Sequence, residues 1–183
     1  MHWDFRKTST PKTPVKLKNI EVETVQFYKY LGLYIDSSFS FAHHVNTVRK
    51  KVNKKMYFVR SMVKLHVDPH IIALFFNSTI PPVLNYSFLA FYKSIPQYLR
   101  LELDKPMNIC QRLIGKSCIL KDNAQEYKLA AARQADKTIK DNSHPLHAEY
   151  CLLQSGKRYR TIKARTERYR LSYVPTSIRL INP

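Results

Sequence analysis

The pattern of apolar and polar positions changes near residue 40. Before this point apolar residues alternate with polar ones, at Val15, Leu17, Val22, Val25, Phe27, Leu31, Leu33 and Ile35. Such alternation puts every second side chain on the same face of a β-strand. Pro11 and Pro14 separate the region from a preceding linker. The pattern therefore predicts a small antiparallel hairpin, with Tyr30-Leu31-Gly32 on its second or third strand.

From Ser40 onward the apolar residues recur at three- and four-residue intervals, which is the spacing of one face of an α-helix. They are Val45, Val48, Val52, Met56, Val59 and Val63. This spacing predicts a helix over about residues 42–64, and Ser40 is placed to act as its N-cap.

Further helical segments follow this helix. Asp68-Pro69 has the form of an N-cap followed by proline at the first helical position, which predicts a helix to about residue 77. Pro81-Pro82 ends that helix and starts another that contains Tyr86, Phe88, Phe91 and Tyr92. Helical patterns also cover about residues 97–114 and 124–140. The predicted fold is α+β, mainly α: a hairpin region (1–38), a helical bundle (39–141) and a basic irregular tail (142–183).

Net charge is the compositional feature that narrows the function. The chain has 31 Lys and Arg against 13 Asp and Glu, a formal net charge of +18. Such a charge attracts polyanions, and the nucleic-acid backbone is the commonest one in a cell. A membrane surface is the other candidate, but the sequence has no lipidation signal and no apolar run near the ~18 residues of a membrane span. Three widely spaced cysteines suit a reducing compartment, so we expect an intracellular protein, nuclear or cytoplasmic, with no membrane partner.

Positive charge is concentrated first in the predicted helix 42–64. Away from its apolar stripe this helix carries cations and no acid, at Arg49, Lys50, Lys51, Lys54, Lys55, Arg60 and Lys64. A helix face that is merely solvated usually mixes charge signs, since like charges four residues apart repel each other. The absence of acids therefore favours contact with phosphates.

Positive charge is concentrated again in the tail. Arginines and lysine there alternate with tyrosines, at Arg158, Tyr159, Arg160, Lys163, Arg165, Arg168, Tyr169, Arg170 and Tyr173. Arginine can bind phosphates in a bidentate manner, and tyrosine rings can stack on unpaired bases. A flexible basic extension or a localisation signal is the alternative interpretation of the same segment.

The sequence offers little for catalysis. Three glycines, Gly32, Gly115 and Gly156, are too few for a glycine-rich phosphate loop. Phosphoryl transfer by metal ions needs clustered carboxylates, whereas the aspartates here are isolated from each other: Asp4, Asp36, Asp68 and Asp104. We therefore expect no catalytic residue and no cofactor.

Two metal sites can be considered from the residue types. His2-Trp3-Asp4 matches the first two ligands of the His-x-Asp…His triad of non-haem iron oxygenases. Its nominal third ligand would be His43, His44, His66 or His70. The motif begins at the second residue of the sequence, so we expect no preceding strand to build the barrel that such a triad needs. A zinc site would have to use residues that lack the close ligand pairs of structural zinc sites, namely Cys110, Cys118, His144, His147 and Cys151. We expect neither metal.

Six segments in a fixed order carry a resemblance to a known family. They are Asp4-Phe5-Arg6-Lys7, Phe27-Tyr28-Lys29-Tyr30-Leu31-Gly32-Leu33, the basic helix, Asn142-Ser143-His144-Pro145-Leu146-His147, Ser155-Gly156-Lys157-Arg158-Tyr159-Arg160 and Val174-Pro175-Thr176-Ser177-Ile178-Arg179-Leu180. The ordered set resembles the downstream end of the reverse transcriptases of vertebrate non-LTR retrotransposons, over essentially the whole chain.

The resemblance implies roles for these segments. The first looks like the last palm strand, Lys29-Tyr30-Leu31-Gly32 resembles the primer grip, and the helices that follow resemble the thumb. The palm aspartates and their domain would lie upstream of Met1. The chain would then be a catalytically incomplete fragment of an RNA-directed DNA polymerase, with at most non-specific RNA and DNA binding. The residues expected to contact nucleic acid are Tyr30, Gly32, Arg49, Lys50, Lys51, Lys54, Lys55, Arg158, Tyr159, Arg160 and Arg165.

The same stretch also resembles the N-terminal domain of the alkylated-DNA-repair AlkB homologue eight. That resemblance would imply iron- and 2-oxoglutarate-dependent dioxygenase activity, or methyltransferase activity. The residues supply neither a complete iron triad nor a glycine-rich S-adenosylmethionine loop after a strand. It is the alternative hypothesis.

Overall fold

The protein is described by a computed structural model, which covers residues 16–23, 25–115, 120 and 122–182. Two antiparallel hairpins come first: β1 (Lys16–Leu17) with β2 (Ile20–Glu21), and β3 (Phe27–Tyr30) with β4 (Leu33–Asp36). The helices are α1 (Ala42–Lys64), α2 (Pro69–Thr79), α3 (Pro81–Leu84), α4 (Phe88–Phe91), α5 (Gln97–Ile114), α6 (Asn123–Lys140), α7 (Glu167–Leu171) and α8 (Tyr173–Ile181). The fold is mainly α after an N-terminal hairpin region, as predicted, although residues 16–36 form two hairpins where one was predicted.

The turn of the second hairpin differs from the prediction. Tyr30 ends β3, and Leu31 and Gly32 form the two-residue turn before β4. Both turn residues have positive φ, 44° and 86°, which is what a type I′ hairpin turn requires. The prediction that Tyr30-Leu31-Gly32 lies along one strand is therefore wrong. The chain reverses here because glycine adopts positive φ without steric cost.

The apolar stripe of α1 lies at the centre of the main core. Val45, Val52 and Val59 are fully buried on this stripe, Val48 and Met56 nearly so. They belong to one cluster with apolar side chains from the following helices, among them Phe76, Leu84, Phe91, Leu99 and Leu103. Each fully buried aliphatic side chain contributes about 1.5–3 kcal/mol to folding. This burial fixes which side of α1 faces outward.

The start of α1 differs in detail from the predicted N-cap. Phe41, in a left-handed conformation with φ 56°, occupies the N-cap position in place of Ser40. The carboxylate of Asp36 accepts from the Phe41 N–H at 3.3 Å and from the hydroxyls of Ser38 and Ser40. Burial raises the pKa of Asp36, but these hydrogen bonds outweigh it and the pKa lies below its usual value. The predicted N-cap position is wrong by one residue, but the Ser40 hydroxyl still accepts from the N–H of Ala42, the first residue of α1, at 3.3 Å.

The helices after α1 agree with the proline pattern with one exception. Asp68 accepts a hydrogen bond from the His70 N–H at 2.7 Å, and Pro69 opens α2, which confirms the predicted start. The predicted aromatic helix after Pro81 is instead divided into α3 and α4. Ser87, with φ 57°, interrupts it.

The tail is more regular than predicted, because it contains α7 and α8. Ile178 of α8 is fully buried against Ala135 of α6 and against Tyr150 in a second apolar cluster. The Tyr150 hydroxyl also shares a 2.7 Å hydrogen bond with the hydroxyl of Ser177. The apolar spacing of Val174, Ile178 and Ile181 explains the helix, and packing against α6 stabilises it.

Candidate nucleic-acid interface

The exposed side of α1 carries most of the predicted phosphate-binding residues. Successive residues are rotated by about 100° around the helix. Lys50 and Lys54 therefore lie almost opposite Val52, at the outermost part of the helix, and both are exposed. Lys51 and Lys55 follow one flank, where Lys51 is exposed and Lys55 is half-buried. Three exposed lysines, Lys50, Lys51 and Lys54, thus share one outward-facing surface, which we call the α1 lysine surface, and Lys55 lies at its half-buried edge.

The opposite flank of α1 is electrostatically different. Arg49 Nη1 lies 2.9 Å from Oε2 of Glu102 on α5. Glu102 also accepts from Lys105, and hydrogen bonds from Lys105 and then Arg49 lower the pKa of Glu102. Arg49 therefore shares the Glu102 carboxylate with Lys105, so its guanidinium already has an ion-pair partner within the chain. Periodicity within α1 could not indicate this contact, because Glu102 lies on a different helix.

His44 lies on the inward side of α1. It is 2% exposed, its Nδ1 accepts from the Tyr34 N–H at 3.4 Å, and its ring meets Phe91 edge-on with centroids 4.7 Å apart. Its Nε2 is buried without a hydrogen-bond partner. Burial lowers the pKa of His44 to about 4, with smaller contributions from the charges of Lys51 and His43. His44 is thus a neutral core residue.

The described part of the chain does not bring together the residues that were considered as nominal metal ligands. His2 and Asp4 lie outside the described residues, and so does Cys118. Within residues 16–23, 25–115, 120 and 122–182, no three His, Cys, Asp or Glu side chains form a group that could hold a metal ion. Other nominal ligands have protein partners: His43 stacks on Phe27 with centroids 4.2 Å apart, and His147 Nδ1 lies 3.1 Å from the Thr138 carbonyl.

The hairpin residues Tyr30 and Gly32 lie at one end of the second hairpin. Tyr30 is exposed, so its ring is accessible. The hydroxyl of Tyr86 donates a hydrogen bond to the Leu31 carbonyl and holds the turn against the α3–α4 connection. A Cβ on Gly32 would lie 3.1 Å from Cε1 of Tyr86, so glycine also permits this close approach.

The tail residues separate into two kinds. Arg158, Arg160 and Arg165 are exposed and carry accessible charge. Tyr159 is half-buried, with its ring edge-on to Tyr150 at 6.3 Å between centroids. The side chain of Asn182 accepts from the Tyr159 N–H at 2.8 Å and donates to its carbonyl at 3.0 Å. Tyr159 is therefore part of the second apolar cluster, which leaves its ring less accessible to bases than predicted.

The structure shows one contact and one pair of exposed residues that the sequence analysis did not predict. Arg168 donates from Nη1 to the Ser38 carbonyl at 2.9 Å, which brings the basic tail beside the start of α1. Tyr57 and Phe58 are exposed aromatic residues on α1 itself. Tyr57 and Phe58 could have been identified from the sequence, because they lie outside the apolar stripe of α1. Nothing in the sequence indicated the contact between residues 38 and 168.

Comparison of the chain with protein-family models, curated proteins and solved structures finds no match. The described helices include none that is both long and apolar enough to cross a membrane.

Proposed function

We propose that this chain is a catalytically incomplete part of a retroelement RNA-directed DNA polymerase, and that it binds RNA and DNA non-specifically through the phosphate backbone. The ordered motifs from Asp4 to Leu180 support the family. The α1 lysine surface supports the binding.

The observation that carries the proposal is the charge of α1. Over 23 residues the helix contains no acid, while its buried side is fixed in the main core. The lysine ammonium groups therefore stay together on the outside, supported by a rigid element. Cations four residues apart on a helix repel each other, and a bound polyanion relieves that repulsion. Backbone binding of this kind releases counterions and weakens steeply with salt.

The exposed tail arginines extend the same chemistry. Arg168 ties the tail to the Ser38 carbonyl, so the tail and the start of α1 are neighbours in the folded chain. Arginine donors suit bidentate contacts with phosphate oxygens. We expect Arg158, Arg160 and Arg165 to add affinity that has little dependence on base sequence.

A salt titration of charge-reversal variants tests this function. The Lys50→Glu/Lys54→Glu variant should bind a labelled RNA–DNA hybrid more weakly than wild type, and the slope of log affinity against log salt should fall by about 2, roughly one for each lost phosphate contact. The matched control is Arg133→Glu/Lys137→Glu, which makes the same change of net charge at exposed positions of α6.

The control separates a binding surface from net charge. If affinity and the slope of log affinity against log salt fall equally in both variants, the overall charge of the protein accounts for binding and α1 has no special role. If wild type fails to bind at low salt, the proposed function is wrong. Circular dichroism of each variant shows whether the helices are retained.

A further inference from the structure

Two exposed aromatic rings stand beside the lysines on α1. Tyr57 is 66% exposed and Phe58 is 56% exposed. Their ring centroids are 5.8 Å apart and their planes meet at 79°, so the pair is arranged edge to face. Large aromatic surfaces are normally buried in a core or an interface, because leaving them in water forfeits hydrophobic free energy. A neighbouring pair on an outward helix face indicates a surface that a partner covers.

The positions of the cations around this pair indicate what kind of partner fits. Lys54 precedes Tyr57 by three residues and Phe58 by four, so its stem lies one helical turn from both rings. Lys50 lies two turns before Tyr57, and Lys64 lies two turns after it. By helical rise the cations flanking the rings span roughly 21 Å. A partner that is anionic along its length and apolar at intervals complements this order of side chains.

We propose that Tyr57 and Phe58 form a stacking platform for unpaired bases, with the flanking lysines on the phosphates, so that α1 binds single-stranded nucleic acid in preference to duplex. This inference rests on the proposed function. In a duplex the base faces are stacked on each other, whereas single strands offer them to aromatic side chains. Stacking of this kind tolerates any sequence because every base has a flat face.

An oligonucleotide pair with equal charge isolates the stacking contribution. One probe is a single-stranded DNA of mixed sequence, and the other has the same length and number of phosphates but abasic sites at its central positions. Wild type should bind the intact probe at least about fivefold more tightly, since base–aromatic stacking changes affinity by that factor or more. Tyr57→Ala/Phe58→Ala should bind both probes equally and should keep the wild-type salt slope.

Two further variants complete the design. Tyr98→Ala removes a tyrosine that is 63% exposed on α5, and it should retain the wild-type preference. Tyr57→Leu/Phe58→Leu keeps apolar area on α1 but removes the ring faces, and it should lose the preference as the alanine variant does.

The outcomes separate this inference from the proposed function. If wild type binds both probes equally with a steep salt slope, phosphate binding stands and the stacking platform is refuted. A preference that persists in the alanine variant, or that the leucine variant preserves, also refutes it. If wild type binds neither probe at low salt, the proposed function fails first.

Discussion

Acidification should destabilise this protein through His44. Its imidazole is buried in α1, one ring nitrogen is paired with the Tyr34 N–H, and the other, Nε2, has no hydrogen-bond partner. Protonation would put a charge inside the core beside Phe91, and burial accordingly lowers the pKa of His44 from 6.5 to about 4. The folded protein therefore resists a proton that the unfolded chain accepts readily.

The size and direction of the effect follow from proton linkage. Because the folded state has the lower pKa, the unfolded state binds the proton first as the pH falls below about 6.5. The free energy of unfolding thus decreases with falling pH until the folded state also titrates, near pH 4. A shift of this size corresponds to about 2 kcal/mol lost between pH 8 and pH 5, and to about 3 kcal/mol well below pH 4.

The assay is urea unfolding at pH 8, 7, 6 and 5, for wild type and for His44→Asn. Asparagine places an amide oxygen near the position of Nδ1, so it can still accept from the Tyr34 N–H, and it does not titrate. The variant has a smaller side chain and should be less stable at pH 8. Between pH 8 and pH 5 the difference between the two proteins should shrink by about 2 kcal/mol. Subtracting the variant removes the contributions of groups that both proteins share, including Asp36.

One result would contradict the predicted effect of His44 on stability. If the difference in unfolding free energy between wild type and His44→Asn is constant from pH 8 to pH 5, His44 binds its proton equally in both states. Its burial would then have no effect on ionisation. A difference that grows as the pH falls would mean that folding favours the charged imidazole.

Two further substitutions probe the hairpin and the tail. Gly32→Ala should lower the free energy of unfolding by roughly 1–2 kcal/mol, because alanine is strained at φ 86° and its Cβ would lie 3.1 Å from Tyr86. An unchanged urea midpoint would show that the turn accommodates alanine without loss of stability. Asn182→Ala removes both hydrogen bonds to the Tyr159 backbone and should speed amide hydrogen exchange at Tyr159, while amides in the middle of α1 keep wild-type protection. Equal protection of the Tyr159 amide in both proteins would show that the Asn182 side chain does not stabilise this backbone.

The main helices could be predicted because their signals are local. The valine spacing from Val45 to Val63 defined α1, and Asp68-Pro69 defined the start of α2, since helix periodicity and capping depend on residues within a turn or two of each other. The lysine-rich outward side of α1 follows from the same periodicity, because burying one stripe leaves the others in water. The exact start of α1 was predicted less well: Phe41 and not Ser40 is the N-cap residue, although the Ser40 hydroxyl accepts from the Ala42 N–H.

The availability of each candidate residue was decided only by the tertiary structure. Arg49 is paired because α5 brings Glu102 within 2.9 Å. The Tyr159 ring packs against Tyr150, and the side chain of Asn182 hydrogen-bonds to the Tyr159 backbone. The burial of His44 likewise depends on Phe91, far along the chain. Sequence by itself determined which charges and rings the chain has and on which side of a helix they lie. Which of them stay accessible depends on distances between residues remote in sequence, and no local periodicity contains those distances.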